Sequence, residues 1–370
     1  MAMICLLELI IILSIRKITE KCSQGQFQLL DKMVAKKLIG IVVIFTSFHT
    51  GFAQQRPQYT QYVFNNFLLN PAISGIENYI DIKAGYRTQW RGLDGAPITS
   101  YISLNAPLGK NFLYGDATSA SGQGENPMGR SYLQNYMAAA PHHGVGFQAV
   151  IDKAGPISRT DLNATYAYHL GLSESVNISV GVVAGFSRVS LDYSKIILEN
   201  NIDPAIVENQ NQRLKSDLSA GIWIYGPRFF VGVSGQTLLG RTLSFTDDET
   251  YTQGKSLPHY FATAGYKVLL GDDLAAISSI MFKYVDPAPV SFDLNLKLAF
   301  RDRLWMGGSY RKGDSFSAIA GFNVSSLFGL GYSYDFTTSQ LGSVSNGSHE
   351  IVLSLLLNNR YKVTCPQRNW

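Results

Sequence analysis

The chain has 370 residues, 46% hydrophobic, 12% aromatic and only 16% charged, with 34 Gly, 20 Tyr and 20 Phe. Its formal charge of +4 falls once residues 1–53 are set aside, since they hold six bases (Arg16, Lys17, Lys21, Lys32, Lys36, Lys37) and three acids (Glu8, Glu20, Asp31): 31 less six leaves 25 bases, 27 less three leaves 24 acids, about +1. That balance gives no basic footprint for nucleic acid, and three cysteines of which only Cys365 follows residue 53 exclude an internal disulfide or cysteine metal site there.

Two apolar stretches open the chain. Met3 to Ile15 is interrupted by Glu8 and is short for a bilayer span. From Met33, itself a possible true start, come Lys36 and Lys37, the apolar Leu38 to Phe45, and small residues at Gly51 and Ala53. This order of parts predicts a secretory signal peptide cleaved between Ala53 and Gln54, and the short apolar core disfavours an inner-membrane anchor. No lipobox precedes Cys22. Residues 54–75 are polar and aromatic, including Gln58, Tyr59, Gln61, Tyr62, Asn65, Asn70 and Pro71, and follow no clean strand period. Asn-Pro ends any helix that might form there. The segment is expected inside or beneath the next domain as a plug or docking element, because disordered arms are poor in aromatics.

Beyond it, no apolar run reaches the ~18 residues of a membrane helix, so a membrane protein of this sequence has to be a closed barrel. Along Tyr79 to Trp90, Ile80, Ile82, Ala84, Tyr86 and Trp90 alternate with Asp81, Lys83, Arg87 and Gln89. After a turn at Asp94-Gly95, Ile98, Ile102 and Leu104 alternate with Thr99, Ser103 and Asn105. Similar two-faced runs recur at 161–170, 176–187 and 290–300. About fourteen strands are expected, near Tyr79, Ile98, Gly144, Ser158, Val176, Ser216, Arg228, His259, Asp273, Val290, Arg303, Ser315, Ser326 and His349. Many run longer than sandwich strands do, and the count is even, so the reading is an all-β transmembrane antiparallel barrel. Connections near 171–175, 226–227, 271–272, 301–302 and 324–325 are tight, whereas 192–215, 237–257 and 337–347 are long. Parity puts the tight set on the periplasmic side and the long set outside. The long 108–143 connection breaks that rule, implying a missed strand or a large periplasmic loop.

No catalytic arrangement stands out. His142 and His143 are adjacent and face opposite sides of a strand, while His169 faces the lumen beside Asp161 and Asn163. There is no nucleophile elbow, phosphate loop or zinc-helix motif, so no enzyme, cofactor or metal is expected. Asp247, Asp248 and Glu249 read as a solvated acidic loop. Asp81, Lys83 and Arg87 are expected to pair across strands or filter solutes. Tyr86, Trp90, Tyr166, Tyr168, Tyr260, Tyr266, Tyr332, Tyr334 and Phe336 are expected as interface girdles.

Two stretches, PQYTQYVFNNFLLNPAISG (Pro57 to Gly75) and AGYRTQWRGLDGAPITSYISLNAP (Ala84 to Pro107), closely resemble the PorP/SprF family of Bacteroidetes outer-membrane proteins. The resemblance covers roughly Gln54 to Leu357. It implies an outer-membrane accessory of type IX secretion and gliding that helps export or anchor a large surface adhesin by binding its C-terminal sorting domain. Implied partners are that domain, periplasmic type IX or peptidoglycan-linked components, and outer-membrane lipid. A porin-like channel for small solutes is the alternative. The motif positions expected to serve docking or architecture are Gln58, Tyr59, Gln61, Tyr62, Asn65, Asn70, Pro71, Arg87, Gln89, Trp90, Asp94 and Gly95. The expected division is leader 1–53, polar segment 54–75, barrel 76–357 and tail 358–370, the tail departing from barrels that end on an aromatic in the last strand. The two motifs are further expected to touch, the N-terminal segment lying on the inner face of the first two strands near Arg87.

Overall fold

Period-two alternation requires each strand to send one set of side chains inward and the other outward, and a sheet that is apolar on its outside has to close on itself to hide its edges. In the computed structural model, which describes residues 65–109, 136–192, 194, 212–239, 241–243, 254–271, 273–286, 288–301, 303–325 and 327–359, this closure is complete. The barrel begins with β1 (Ile80–Thr88), β2 (Ile98–Leu108), β3 (His142–Ala154), β4 (Ile157–Gly171) and β5 (Asn177–Leu191). It continues through β6 (Gln212–Tyr225) and β7 (Phe229–Gln236), passes a small separate hairpin of β8 (Arg241–Leu243) and β9 (Gly254–Ser256), and resumes with β10 (His259–Leu269). Next come β11 (Leu274–Val285), β12 (Ala288–Phe300), β13 (Leu304–Arg311), β14 (Ser315–Asn323), β15 (Phe328–Thr337) and β16 (Ser348–Leu357).

Fourteen strands therefore form one closed antiparallel barrel, each at an expected position, with β16 pairing back onto β1 from Ile80↔Leu357 to Thr88↔His349. Among the described residues no helix is long and apolar enough to cross a membrane; the strands do the crossing. Outward residues such as Tyr86, Ile102, Phe147, Val180, Phe186, Leu296 and Phe336 are exposed, and the inward series Asp81, Lys83, Arg87 and Ser103, Asn105 is buried. A continuous exposed apolar surface of this kind is an aggregation hazard in water and a requirement in lipid.

The connections 172–176, 226–228, 270–273, 301–303 and 324–327 share one end, and 192–211, 237–258 and 338–347 share the other. These are called here the turn end and the loop end. Three tight connections (155–156, 286–287 and 312–314) also lie at the loop end, so short turns are not confined to one side. Because β2 pairs directly and antiparallel with β3, from Ile98↔Lys153 to Leu108↔His143, no barrel strand is hidden between them, and the 109–141 connection starts and finishes at the turn end.

Two local expectations need correction. The β1–β2 connection is not a tight Asp-Gly turn but spans 89–97, braced by Gln89 N–H donating to Pro97 O (2.9 Å) and Gly155 N–H donating to Gly95 O (2.9 Å). Positive φ falls at Trp90 (48°), Gly92 (102°) and Gly95 (72°), so Trp90 has left the strand and sits in this connection. Asp81 and Lys83 pair along one strand (2.8 Å) rather than across strands.

Candidate functional site

Asn70-Pro71 organises the segment inside the barrel. A residue before proline avoids the helical region, and Asn70 is extended (φ −130°, ψ 114°). Proline then opens a 3₁₀ turn, Pro71–Ile73, where its missing N–H costs nothing. The Asn70 side chain caps that turn by accepting from Ala72 N–H (3.0 Å) and donates through Nδ2 to two wall carbonyls, Ile222 O (3.0 Å) and Val233 O (3.1 Å). One side chain thus starts that turn and ties it to β6 and β7. A second 3₁₀ turn, Asn66–Leu68, lies just upstream.

The wall reads the main chain of this plug. Gln148 donates to Phe67 O (2.6 Å), Gln236 to Leu68 O (2.9 Å) and Leu69 O (3.1 Å), and Ser234 to Leu69 O (2.8 Å). Ser179 donates to Ala72 O (2.7 Å), and the Nε2 of His169 lies 2.8 Å from Ser74 O with Tyr225 Oη at its Nδ1 (3.1 Å). His142 stacks on His169 with centroids 4.5 Å apart and approaches Gly75 O at 3.2 Å. On β2, Ser103 Oγ accepts from Asn65 Nδ2 (3.2 Å) and Asn105 Oδ1 from Gly75 N–H (3.3 Å). Six successive strands, β2 to β7, therefore grip residues 65–75. The backbone comes so near that a Cβ on Gly181 would overlap Ala72 N and one on Gly221 would overlap the Asn70 amide. Apolar packing closes the remainder: Ala72 and Ile76 with Trp223, Tyr225, Phe230 and Ile277 towards the turn end, and Leu69 with Phe261 and Met281. The carbonyls of Phe67, Leu68, Leu69, Ala72 and Ser74 are thus each met by a wall side chain along a strip that would otherwise be a wet lumen.

The opposite arc has a different chemistry. Arg87 donates to Asp335 (2.7 Å) and Glu350 (3.1 Å), tying β1 to β15 and β16, and Tyr101 Oη donates to Glu350 (3.3 Å). Arg311 holds Asp293 (3.1 Å) across two strands and Asp314 (3.2 Å) in the adjoining turn. All of these groups but Asp314 are buried.

Of the residues expected to serve docking, Gln58, Tyr59, Gln61 and Tyr62 lie outside the described residues. Asn65, Asn70 and Pro71 are in the plug, Arg87 and Gln89 face inward on or just past β1, and Trp90, Asp94 and Gly95 belong to the β1–β2 connection at the loop end. They do not form one cluster. The plug does meet β2, but the carboxylates of Asp335 and Glu350 hold Arg87, which the expectation of a segment near Arg87 did not foresee. Sequence reading also missed Gln148, Ser179, Ser234 and Gln236. Their only signal is a polar side chain at an inward register position, shared by many residues that touch nothing of the plug. His143 points outward to Tyr166 Oη (2.7 Å), so it and His142 are indeed on opposite faces. Tyr86, Tyr166, Tyr168, Tyr260, Tyr266, Tyr332 and Phe336 are exposed on the outer wall.

A protein-family model described as the type IX secretion system membrane protein PorP/SprF matches residues 51–355. No curated protein matches the sequence. Among solved structures, the Ralstonia pickettii toluene transporter TbuX is similar at 8% identity, covering 79% of this chain and 92% of that one, with a TM-score of 0.46. The CymD monoaromatic hydrocarbon channel is similar at 12% identity over 83% and 94%, TM-score 0.43. Acinetobacter baumannii Omp33 is similar at 10% identity over 77% and 100%, TM-score 0.40. At these identities the likeness is one of barrel architecture and not of ligand.

Proposed function

Since the chain belongs to the PorP/SprF family of type IX secretion system membrane proteins, we propose that this outer-membrane barrel is a partner-binding accessory. In this reading it helps export or anchor a large cell-surface adhesin by binding the adhesin's C-terminal sorting domain, with periplasmic type IX or peptidoglycan-linked components as further partners, and it carries out no catalysis. The observation that supports it is the plug. A lumen crossed by residues 65–76, hydrogen-bonded on six strands and packed against Trp223, Phe230 and Ile277, is built to be filled. A porin needs a continuous polar path, and this interior offers apolar contacts across its waist. In an outer-membrane barrel the long connections face outward, so the loop end is the surface a secreted partner would meet.

The test is affinity purification of the tagged full-length protein from its native outer membrane, followed by mass spectrometry and by planar-bilayer recording. Co-purification of a secreted protein carrying a C-terminal sorting domain, with little conductance, is the expected result. Large steady single-channel currents with no such partner would establish the porin reading in its place.

A further inference from the structure

Burial sorts the histidines among the described residues. His142, His169 and His259 are buried, whereas His143 and His349 lie on the outer wall. These two sit in the same arrangement at opposite ends of the barrel. At the turn end, His143 of β3 is the register partner of Tyr168 of β4, with ring centroids 5.0 Å apart. Its Nδ1 lies 2.7 Å from the hydroxyl of Tyr166, two positions nearer the middle of that strand. At the loop end, His349 of β16 is the register partner of Tyr334 of β15, centroids 4.9 Å apart. Its Nδ1 lies 2.7 Å from the hydroxyl of Tyr332, again two positions nearer the middle. A phenol turned toward hydrocarbon loses its water partners and carries a cost unless its proton is donated. The arrangement that meets this demand has Tyr166 and Tyr332 donating to the two Nδ1 atoms, and a neutral imidazole that accepts at Nδ1 carries its proton at Nε2. Because Nδ1 is turned to the mid-wall tyrosine, the Nε2 edge is turned the other way, toward the end of the barrel. Each cluster thus brings a hydrogen-bond donor to the rim of the apolar band.

We propose that His143 and His349 are lipid-headgroup sites, each donating its Nε2 N–H to a phosphate oxygen of a membrane lipid, His143 in the periplasmic leaflet and His349 in the outer one. The occupant is an amphiphile because the wall leading away from each histidine along its own strands is apolar and exposed, through Phe147 and Leu162 on one side and Ile351 and Leu353 on the other. Acyl chains lie on that surface, and the headgroup stands at the height of the imidazole. There the N–H meets the phosphate, the acceptor-rich and anionic group of the lipid, and a charged acceptor makes the stronger hydrogen bond. At the loop end the second tyrosine is held as well, Tyr334 Oη donating to Asn346 O (3.1 Å) in the 338–347 connection. One such contact at either rim fixes the height of the barrel against both leaflets. The assignment is independent of what the lumen or the loops bind.

The experiment places the full-length protein, with isotope-labelled histidine nitrogens, in vesicles of phosphatidylglycerol. Solid-state NMR then reads the dephasing of those nitrogen signals by lipid phosphorus, which requires the two nuclei to be close. Dephasing at two histidines, both protonated at Nε2, is expected. One signal is lost in His143→Phe and the other in His349→Phe, substitutions that keep an aromatic ring in place and should preserve the heat-modifiable gel shift of the folded barrel. In vesicles of galactosyl diacylglycerol, which has no phosphate, the dephasing is expected to vanish, and excess inorganic phosphate is expected to leave it absent. That comparison of lipids needs no variant. Absence of dephasing at either histidine in phosphatidylglycerol, its survival in the corresponding variant, or an Nε2 that carries no proton overturns the proposal. Dephasing restored by inorganic phosphate alone also overturns it, since the site would then take a free anion and not a lipid.

Discussion

The two arcs of the lumen solve the same problem by opposite means. From β2 to β7 the wall groups that hold the plug are neutral: amides, hydroxyls and imidazoles address the backbone of a segment that is not part of the sheet, while the Arg159–Asp161 pair of β4 stays within its own strand. From β12 round to β1 it is ionic, and Arg87 and Arg311 join strand to strand or strand to turn. A neutral hydrogen bond contributes ~0.5–1.5 kcal/mol and is additive over many small partners, so a dozen of them position a chain without any one being decisive. A buried ion pair concentrates its effect, since removing one partner strands the other in a poor solvent. The neutral arc is therefore fitted to hold a plug, and the ionic arc to hold the barrel closed where β1 meets β16.

The largest expected effect tests the ionic arc. Arg87→Ala leaves Asp335 and Glu350 buried without their cation and should destabilise the barrel by about 3–5 kcal/mol. Urea unfolding of the detergent-solubilised protein measures it. The triple variant Arg87→Met, Asp335→Asn, Glu350→Gln should recover most of the loss, because no charge is then left unpaired. A loss that persists in the triple variant would mean that packing of the Arg87 stem, not charge, closes the seam.

The neutral arc is tested by crowding it. Gly181→Val places side-chain atoms where Ala72 N and Pro71 stand, an overlap with backbone that no rotamer relieves. Overpacking of this kind costs about 1–3 kcal/mol, and its cheapest relief is a shift of the Pro71–Ile73 turn away from β5, since the β5 ladders on both sides stay intact. Single-channel openings absent from the wild type are the expected outcome in planar bilayers. A folded Gly181→Val barrel that stays silent would show that the two arcs do not divide the work in this way.

The division between the arcs also explains what the sequence made legible. Barrel, strand number and facing follow from local alternation, which strands such as β1, β4, β5 and β12 carry in their own residues, although β11 does not, with Ala275, Ile277 and Met281 turned inward. The Asn70-Pro71 break was equally visible, being a matter of neighbouring dihedrals. Which carboxylates answer Arg87 was not, because Asp335 and Glu350 lie 248 and 263 positions away and are selected by closure of the barrel. The same holds for Gln148 and Gln236, inward polar residues whose task depends on where the plug passes. The β1–β2 connection was misread for a different reason: Asp94-Gly95 is a strong local turn signal, yet the chain spends nine residues there to reach Gly155 and Gly347 on neighbouring connections.

The smallest expected effect lies outside both arcs and calibrates them. Arg301 and Asp273 form an ion pair at the turn end as short as those inside, 2.9 Å, and the carboxylate holds the guanidinium above its usual pKa through that hydrogen bond. Both side chains are largely in water, with 60% and 43% of their surface exposed, so either is resolvated when the other is removed. Exposed pairs also lose side-chain freedom on forming and are screened by salt. Arg301→Ala should therefore leave the urea midpoint unchanged within error at 0.15 M salt, on the same apparatus that resolves Arg87→Ala. Equal shifts for the two variants would mean that burial does not set the worth of these pairs, and the contrast between the arcs would lose its physical basis.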